Sequence, residues 1–294
     1  MVKEIEKKQQ KAIRAARMSM LANLLLALAK GLAGFFGHSF ALIADAIESS
    51  ADVFASMLVL LGLRYASRPA DENHPYGHGK IEPLVTFVVV GFLVASAVGI
   101  AIQSVHNIQR PHELPRPFTL FVLGGIIVIK EGFYRFMHQS GKESGSTSLR
   151  ADAWHHRSDA LTSLAAFVGI SMALLLGEGY EQADDWAALI ASGVIVYNAY
   201  LIFRPALGEI MDEHLYEDMV QRIRHIARQV EEVKDTEKCF IRKSGMRYHI
   251  DLHLVVDGNM SVRQGHEIAH QLKNKIKAEL PEVADVLIHV EPDD

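Results

Sequence analysis

A nine-residue pattern occurs twice in this chain, as Ala44-Asp45-Ala46-Ile47-Glu48-Ser49-Ser50-Ala51-Asp52 and as Ala151-Asp152-Ala153-Trp154-His155-His156-Arg157-Ser158-Asp159. Both copies read Ala-Asp-Ala, then an acid or a histidine, then Asp four residues later. On a helix, residues four apart share a face, so Glu48 stands with Asp52 and His155 with Asp159. Two such helices facing each other bring three carboxylates and one imidazole to a point. Those donors suit a tetrahedral divalent-metal site, for Zn2+ first and also for Mn2+, Fe2+ or Cd2+. Apolar sequence surrounds both copies, where idle charges are expensive. Asp45 and Asp152 lie three residues before each pair and suit structural hydrogen bonding, with proton relay as their second role. Lys30 is either a counter-charge or a side chain that reaches out to an interface.

Two further clusters have ligand-like chemistry. In the polar segment Asp71-Glu72-Asn73-His74-Pro75-Tyr76-Gly77-His78-Gly79-Lys80, a compact turn brings Asp71, His74 and His78 within reach of one another. An ordinary solvated loop is an equal reading on chemistry alone. Later, strand alternation puts Tyr248, Ile250, Leu252 and Leu254 on one face and His249, Asp251 and His253 on the other. His289 and Glu291 share a face of the last strand. Exposed sheet faces often carry such residues, so metal binding competes there with plain solvation. His266-Glu267-Ile268-Ala269-His270 matches the H-E-x-x-H helix of zinc proteases. Both histidines fall on the polar face of an amphipathic helix, in a segment too small for a substrate cleft, so no enzyme is expected.

The elements that must position these residues follow from hydropathy. Of 294 residues, 49% are hydrophobic, and they crowd into the first two thirds. Six stretches are long and apolar enough to cross a bilayer: Ala15–Phe36, Phe40–Leu63, Ile81–Val105, Phe118–Met137, Leu149–Leu176 and Asp185–Phe203. Beyond Pro205 the pattern becomes that of a small water-facing domain. It has a helix over His214–Val230, strands over Lys238–Arg242 and Arg247–Val256, a helix over Ser261–Leu280 stopped by Pro281, and a strand over Val286–Val290. On the second helix Val262, Ile268, Ala269, Leu272 and Ile276 share the apolar face. The expected fold is therefore a membrane all-α six-helix bundle, residues 1–208, followed by a two-layer α+β domain of order α-β-β-α-β, residues 209–294. Basic residues crowd the N-terminus and the segments after spans two and four, which places both termini in the cytoplasm. The net charge of −5 gives no sign of a nucleic-acid partner. Cys239 is the one cysteine, so no internal disulfide can form.

Taken together, Ser39 to Ala46 with Asp52, the stretch Pro69 to Glu82, and Trp154-His155-His156-Arg157-Ser158-Asp159 resemble the cation diffusion facilitator family, the divalent-metal/proton antiporters that include bacterial zinc exporters. The resemblance runs from Asn23 to Glu291. It implies a homodimer in the bacterial inner membrane that moves Zn2+, or Mn2+ or Fe2+, out of the cytoplasm against protons. A membrane-anchored metal sensor without transport is the rival. The resemblance implies a transport site at Glu48, Asp52, His155 and Asp159, a loop site at Asp71, His74 and His78, and a cytoplasmic site at His253, His266, His289 and Glu291. It also implies a charge pair between Lys80 and Asp212 where the spans meet the cytoplasmic domain. Glu48 stands where members usually carry Asp or His, keeping an oxygen ligand but changing its reach. Glu291 replaces an Asp, and Glu237 lies near the position of a histidine that this chain lacks.

Overall fold

Long apolar runs in a bilayer satisfy their backbone polar groups only by intrachain hydrogen bonding, and here they fold as helices. The computed structural model describes residues 2–36, 40–109, 118–176, 183–213 and 216–293. Among these, α1 (Val2–Phe36), α2 (Phe40–Ala66), α3 (Ile81–Ile108), α4 (Phe118–Ser144), α5 (Thr147–Leu176) and α6 (Ala183–Ile210) cover the six apolar stretches. Each helix runs past its stretch into polar flanking sequence. α6 continues through Pro205, whose ring keeps a helical φ and forgoes one backbone hydrogen bond. The turn at Gly37-His38-Ser39, the prolines at 111, 115 and 117, the acidic segment 178–182 and His214 lie outside the described residues.

Polarity in this helical part is inverted relative to a water-soluble bundle. Leu25, Ile102, Phe121, Val128 and Ile190 are exposed, while Ser19, Asn23, Ser56, Asp152 and His156 are buried. That distribution suits a hydrocarbon surround with polar groups facing one another inside. The Gly/Ser segment between α4 and α5 is two helix caps in succession. Gly145 takes the left-handed conformation at φ +76°, and the Ser146 N–H donates to the Gly141 carbonyl at 3.1 Å, closing α4 in a Schellman turn. The Ser146 hydroxyl oxygen then accepts from the Leu149 N–H at 3.1 Å and caps α5.

The C-terminal part contains α7 (Glu217–Ala227), β1 (Asp235–Ser244), β2 (Arg247–Val256), α8 (Val262–Glu279) and β3 (Val283–Pro292). This is the expected α-β-β-α-β order. The sheet order is β1-β2-β3, with β1 and β2 antiparallel and β2 and β3 parallel. Parallel neighbours need a crossover, and α8 supplies it. Ile250, Leu252, Leu254 and Val286 on one sheet face pack with Ile223 and Ile226 of α7 and Ile268, Leu272 and Ile276 of α8. Ser261 and Gln264 form a capping box that starts α8. Val262 departs from the expected apolar face, being 92% exposed. It is the first residue of α8, and helix packing begins one turn later at Gly265, where an added Cβ would lie 3.3 Å from Val290. The helix expected from residue 214 to Val230 ends at Ala227, and its last turn opens into 228–230.

By contacts the chain forms two compact units. One is Lys11–Tyr65 with Ile81–Ala206, and the other is Met1–Gln10, Ala66–Lys80 and Leu207–Asp294. The polar loop after α2 thus belongs with the C-terminal domain. Its Gly79 lies against the β1–β2 turn, where a Cβ would come within 2.4 Å of the Ser244 carbonyl oxygen, so only glycine fits.

Candidate metal centres

In the helical unit, α2 carries Asp52 and α5 carries His155 and Asp159. One turn of α5 separates the latter two, which puts them on one face. The ligand atoms of Asp52, His155 and Asp159 all lie within 4.8 Å of one another. His155 Nε2 is 2.7 Å from Asp52 Oδ1, and His155 is buried. The side chains of Glu48, Asp45 and Lys30 lie outside the described residues. Lys130 of α4, which sequence reasoning passed over, completes the cluster. Its ammonium donates to Asp159 Oδ2 at 2.7 Å and to Asp52 Oδ2 at 3.3 Å.

Beside this cluster sits a hydrogen-bonded layer built on Asp152. Its carboxylate accepts from the Ser19 hydroxyl at 2.9 Å and the Ser56 hydroxyl at 3.0 Å. Each serine has one proton, so those two bonds use both. Asn23 Nδ2 therefore donates to the Ser56 oxygen at 3.1 Å, and His156 Nε2 takes the donor role toward the Ser19 oxygen at 2.7 Å. Asp152 in this way ties α1, α2 and α5 together next to Asp52, His155 and Asp159, which is the structural part expected of it.

The loop cluster lies in the other unit. Asp71 Oδ1 accepts from the backbone N–H groups of His74 at 2.7 Å and Asn73 at 3.1 Å, an Asx turn that fixes the loop. Its side chain meets both histidines, with His74 Nδ1 at 2.9 Å and His78 Nε2 at 3.4 Å. The His74 ring beside it holds the Asp71 carboxyl below the usual carboxylate range. Next along the loop, Tyr76 packs edge-on to His249 of β2 and lies beneath Arg242 of β1, which pairs with Asp251 at 2.7 Å.

The third cluster sits on the solvent face of the sheet. His253 and His289 are register partners on β2 and β3, with ring centroids 5.0 Å apart. Glu291 Oε1 is 2.6 Å from His253 Nδ1 and 3.8 Å from His289 Nε2. Contact with His253 lowers the Glu291 carboxyl, and a second contact comes from Glu237 of β1. His266 is not brought into this group. It lies on the exposed side of α8 with its ring against that of His270, because the apolar face of α8 is turned to the sheet's other side. Among the described residues no third metal-ligating group joins the His266–His270 pair.

In the same unit, Lys80 Nζ is 2.6 Å from Asp212 Oδ1. Asp212 itself adopts φ 52° just past α6, with the Glu213 N–H donating back to the Gly208 carbonyl at 2.8 Å. Deeper in, Glu209 accepts from Lys243 Nζ at 3.0 Å and from the Gly245 N–H at 2.7 Å. Glu209 and Lys243 did not stand out in the sequence.

Residues 16–211 match the cation efflux transmembrane domain, and residues 215–293 match the cytoplasmic domain of cation efflux proteins. The chain belongs to the cation diffusion facilitator family. It is a membrane protein of a family that exports divalent metal cations, a transporter family rather than an enzyme family. The manganese efflux system protein MneP of Bacillus subtilis (strain 168) is 32% identical over 292 residues, covering 97% of each chain. The magnetosome protein MamB of Magnetospirillum gryphiswaldense is 29% identical over 272 residues, covering 92% of this chain and 91% of MamB. Among solved structures, the metal-bound C-terminal domain of the CzcD transporter from Thermotoga maritima is 32% identical. It spans 26% of this chain and 87% of its own, with a TM-score of 0.25.

Proposed function

We propose that this protein exports a divalent metal cation from a bacterial cytoplasm in exchange for protons. The observation that carries the reading is the Asp52, His155 and Asp159 cluster, assembled from two helices of the transmembrane domain. Glu48, one turn before Asp52 on α2, is the fourth ligand in this reading. Residues 1–208 form the transport domain, and residues 209–294 form a cytoplasmic domain that binds metal and pairs two copies into a homodimer. Both termini face the cytoplasm, and the Lys80–Asp212 pair steadies the junction. Asp71, His74 and His78, and separately His253, His289 and Glu291, are regulatory metal sites.

The exchange follows from ligand chemistry. Imidazole and carboxylate bind metal only when deprotonated, so metal and protons compete for His155, Asp52 and Asp159. Alternating access to one such site converts an inward proton gradient into outward metal flux.

Zn2+ is the substrate of this reading, because an imidazole among carboxylates suits it. Mn2+ is the second reading, favoured by the excess of oxygen donors and by the full-length likeness to a protein named for manganese efflux. The deciding experiment is metal flux and internal pH in proteoliposomes, with Zn2+, Cd2+, Mn2+ and Fe2+ in turn. Asp52→Ala or Asp159→Ala should abolish flux in an otherwise assembled protein. Undiminished flux in either variant, or flux without proton movement, would sink the mechanism.

A further inference from the structure

A lysine inside an apolar helix is costly unless something holds its charge. Lys130 follows Ile126-Ile127-Val128-Ile129, is 4% exposed, and is held by the two carboxylates that a transported metal needs. The division of oxygens is informative. His155 takes Asp52 Oδ1, while Lys130 takes Asp52 Oδ2 and Asp159 Oδ2. The ammonium therefore bridges α2 and α5 across the space that a divalent ion would occupy in bridging the same two carboxylates.

The charges make this position consequential. Asp52 and Asp159 supply two negative charges, and Lys130 offsets one of them. A dication bound between the carboxylates would stand against a fixed positive charge at close range in a poorly screened place, so both cannot hold the same oxygens. The lysine stem, anchored on α4, is long and flexible enough to swing away.

We propose that Lys130 is a tethered counter-cation that fills the metal-free transport site and is displaced by the incoming metal. The inference rests on the reading of Asp52, His155 and Asp159 as transport ligands. Lys130 then sets affinity without being a ligand. It keeps the empty site electrically compensated, and it weakens metal binding enough for release on the far side.

The test is equilibrium binding of Zn2+ and Mn2+ to the purified full-length protein, in a background where His74→Ala and His253→Ala disable the other two clusters. Lys130→Met and Lys130→Gln should each tighten binding by about tenfold or more, because the metal no longer has to break the ammonium's ion pairs with Asp52 and Asp159. Lys130→Arg, which keeps the charge, should stay close to the parent affinity. Flux through Lys130→Met should fall, because a tighter site releases more slowly. Lys130→Gln can still hydrogen bond both carboxylates, so it keeps the question open to measurement if the Met variant does not assemble. Unchanged or weaker binding in the neutral variants, with binding abolished by Asp52→Ala, would overturn the counter-cation and leave the transport site standing. Binding that survives Asp52→Ala would instead overturn the transport-site reading.

Discussion

Replacing Glu209 by alanine should destabilise the C-terminal unit more than any single change among its surface ion pairs. Glu209 is 4% exposed and accepts from Lys243 Nζ at 3.0 Å and the Gly245 N–H at 2.7 Å. Lys243 is nearly as buried, so Glu209→Ala leaves an ammonium unpaired in a dry place. Breaking a buried pair by removing one partner costs about 3–5 kcal/mol. For a domain of this size each kcal/mol lowers the unfolding midpoint by about 4–8 °C, so the drop should be at least about 12 °C. Asp212→Ala is the control. Its pair with Lys80 is 2.6 Å long, but both side chains are well exposed at 39% and 48%. Such a pair contributes about 0–1 kcal/mol. A third variant separates charge from hydrogen bonding. Glu209→Leu with Lys243→Met removes both charges and strands only the Gly245 N–H, which costs about 1–3 kcal/mol. Differential scanning calorimetry of the full-length protein in detergent reads all three. If Glu209→Ala shifts the C-terminal transition no more than Asp212→Ala does, the buried pair is not what holds the β1–β2 turn to the end of α6.

Two other outcomes follow from the C-terminal unit. Asp71 should titrate below its ordinary value of about 3.9 by NMR, and His74→Ala should move it back up. Its folded value is depressed, so what the pairing adds to loop order is present at neutral pH and is lost only as pH falls below about 3.9; a midpoint at or above that value in the parent protein would contradict the geometry. Cys239 is buried, and burial pushes its thiol up to about 11. Alkylation near pH 8 should therefore run about a hundredfold or more slower than for a free thiol until the domain is unfolded; labelling at the free-thiol rate would show that the core is open there.

The parts of the fold that were legible in sequence have local signatures. Apolar length marks a spanning helix, and period-two alternation marks a strand with one buried face. The Asp52, His155 and Asp159 cluster was legible for the same reason, since two donors one helical turn apart leave a repeat in the text. Val262 looked like part of a buried face because periodicity says which side of a helix a residue is on. It does not say where along the helix the packing starts. His266 has ligand chemistry, but its place depends on which sheet face α8 covers, and the strand pattern alone does not connect the two. Glu209 and Lys243 meet only because the end of α6 lies beside the β1–β2 turn, a contact 34 residues apart in the chain.

Lys130 was missed for a different reason, and the reason is instructive. A ligand set needs several donors at fixed spacing, whereas a counter-charge needs one position on any helix that packs nearby, and one position has no period. What the sequence does offer is a charge balance. The apolar stretches carry the acids Asp45, Glu48, Asp52, Glu82, Glu131, Asp152, Asp159 and Asp185 against the cations Arg17, Lys30, Lys130, Arg135, Arg150 and Arg157. Acids set in apolar sequence need a cation that is present when no metal is. Lys130 follows a run of four branched apolar residues on α4 and is buried. An ammonium buried there must be paired inside. The packing of α4 against α5 is what gives it Asp159 as a partner.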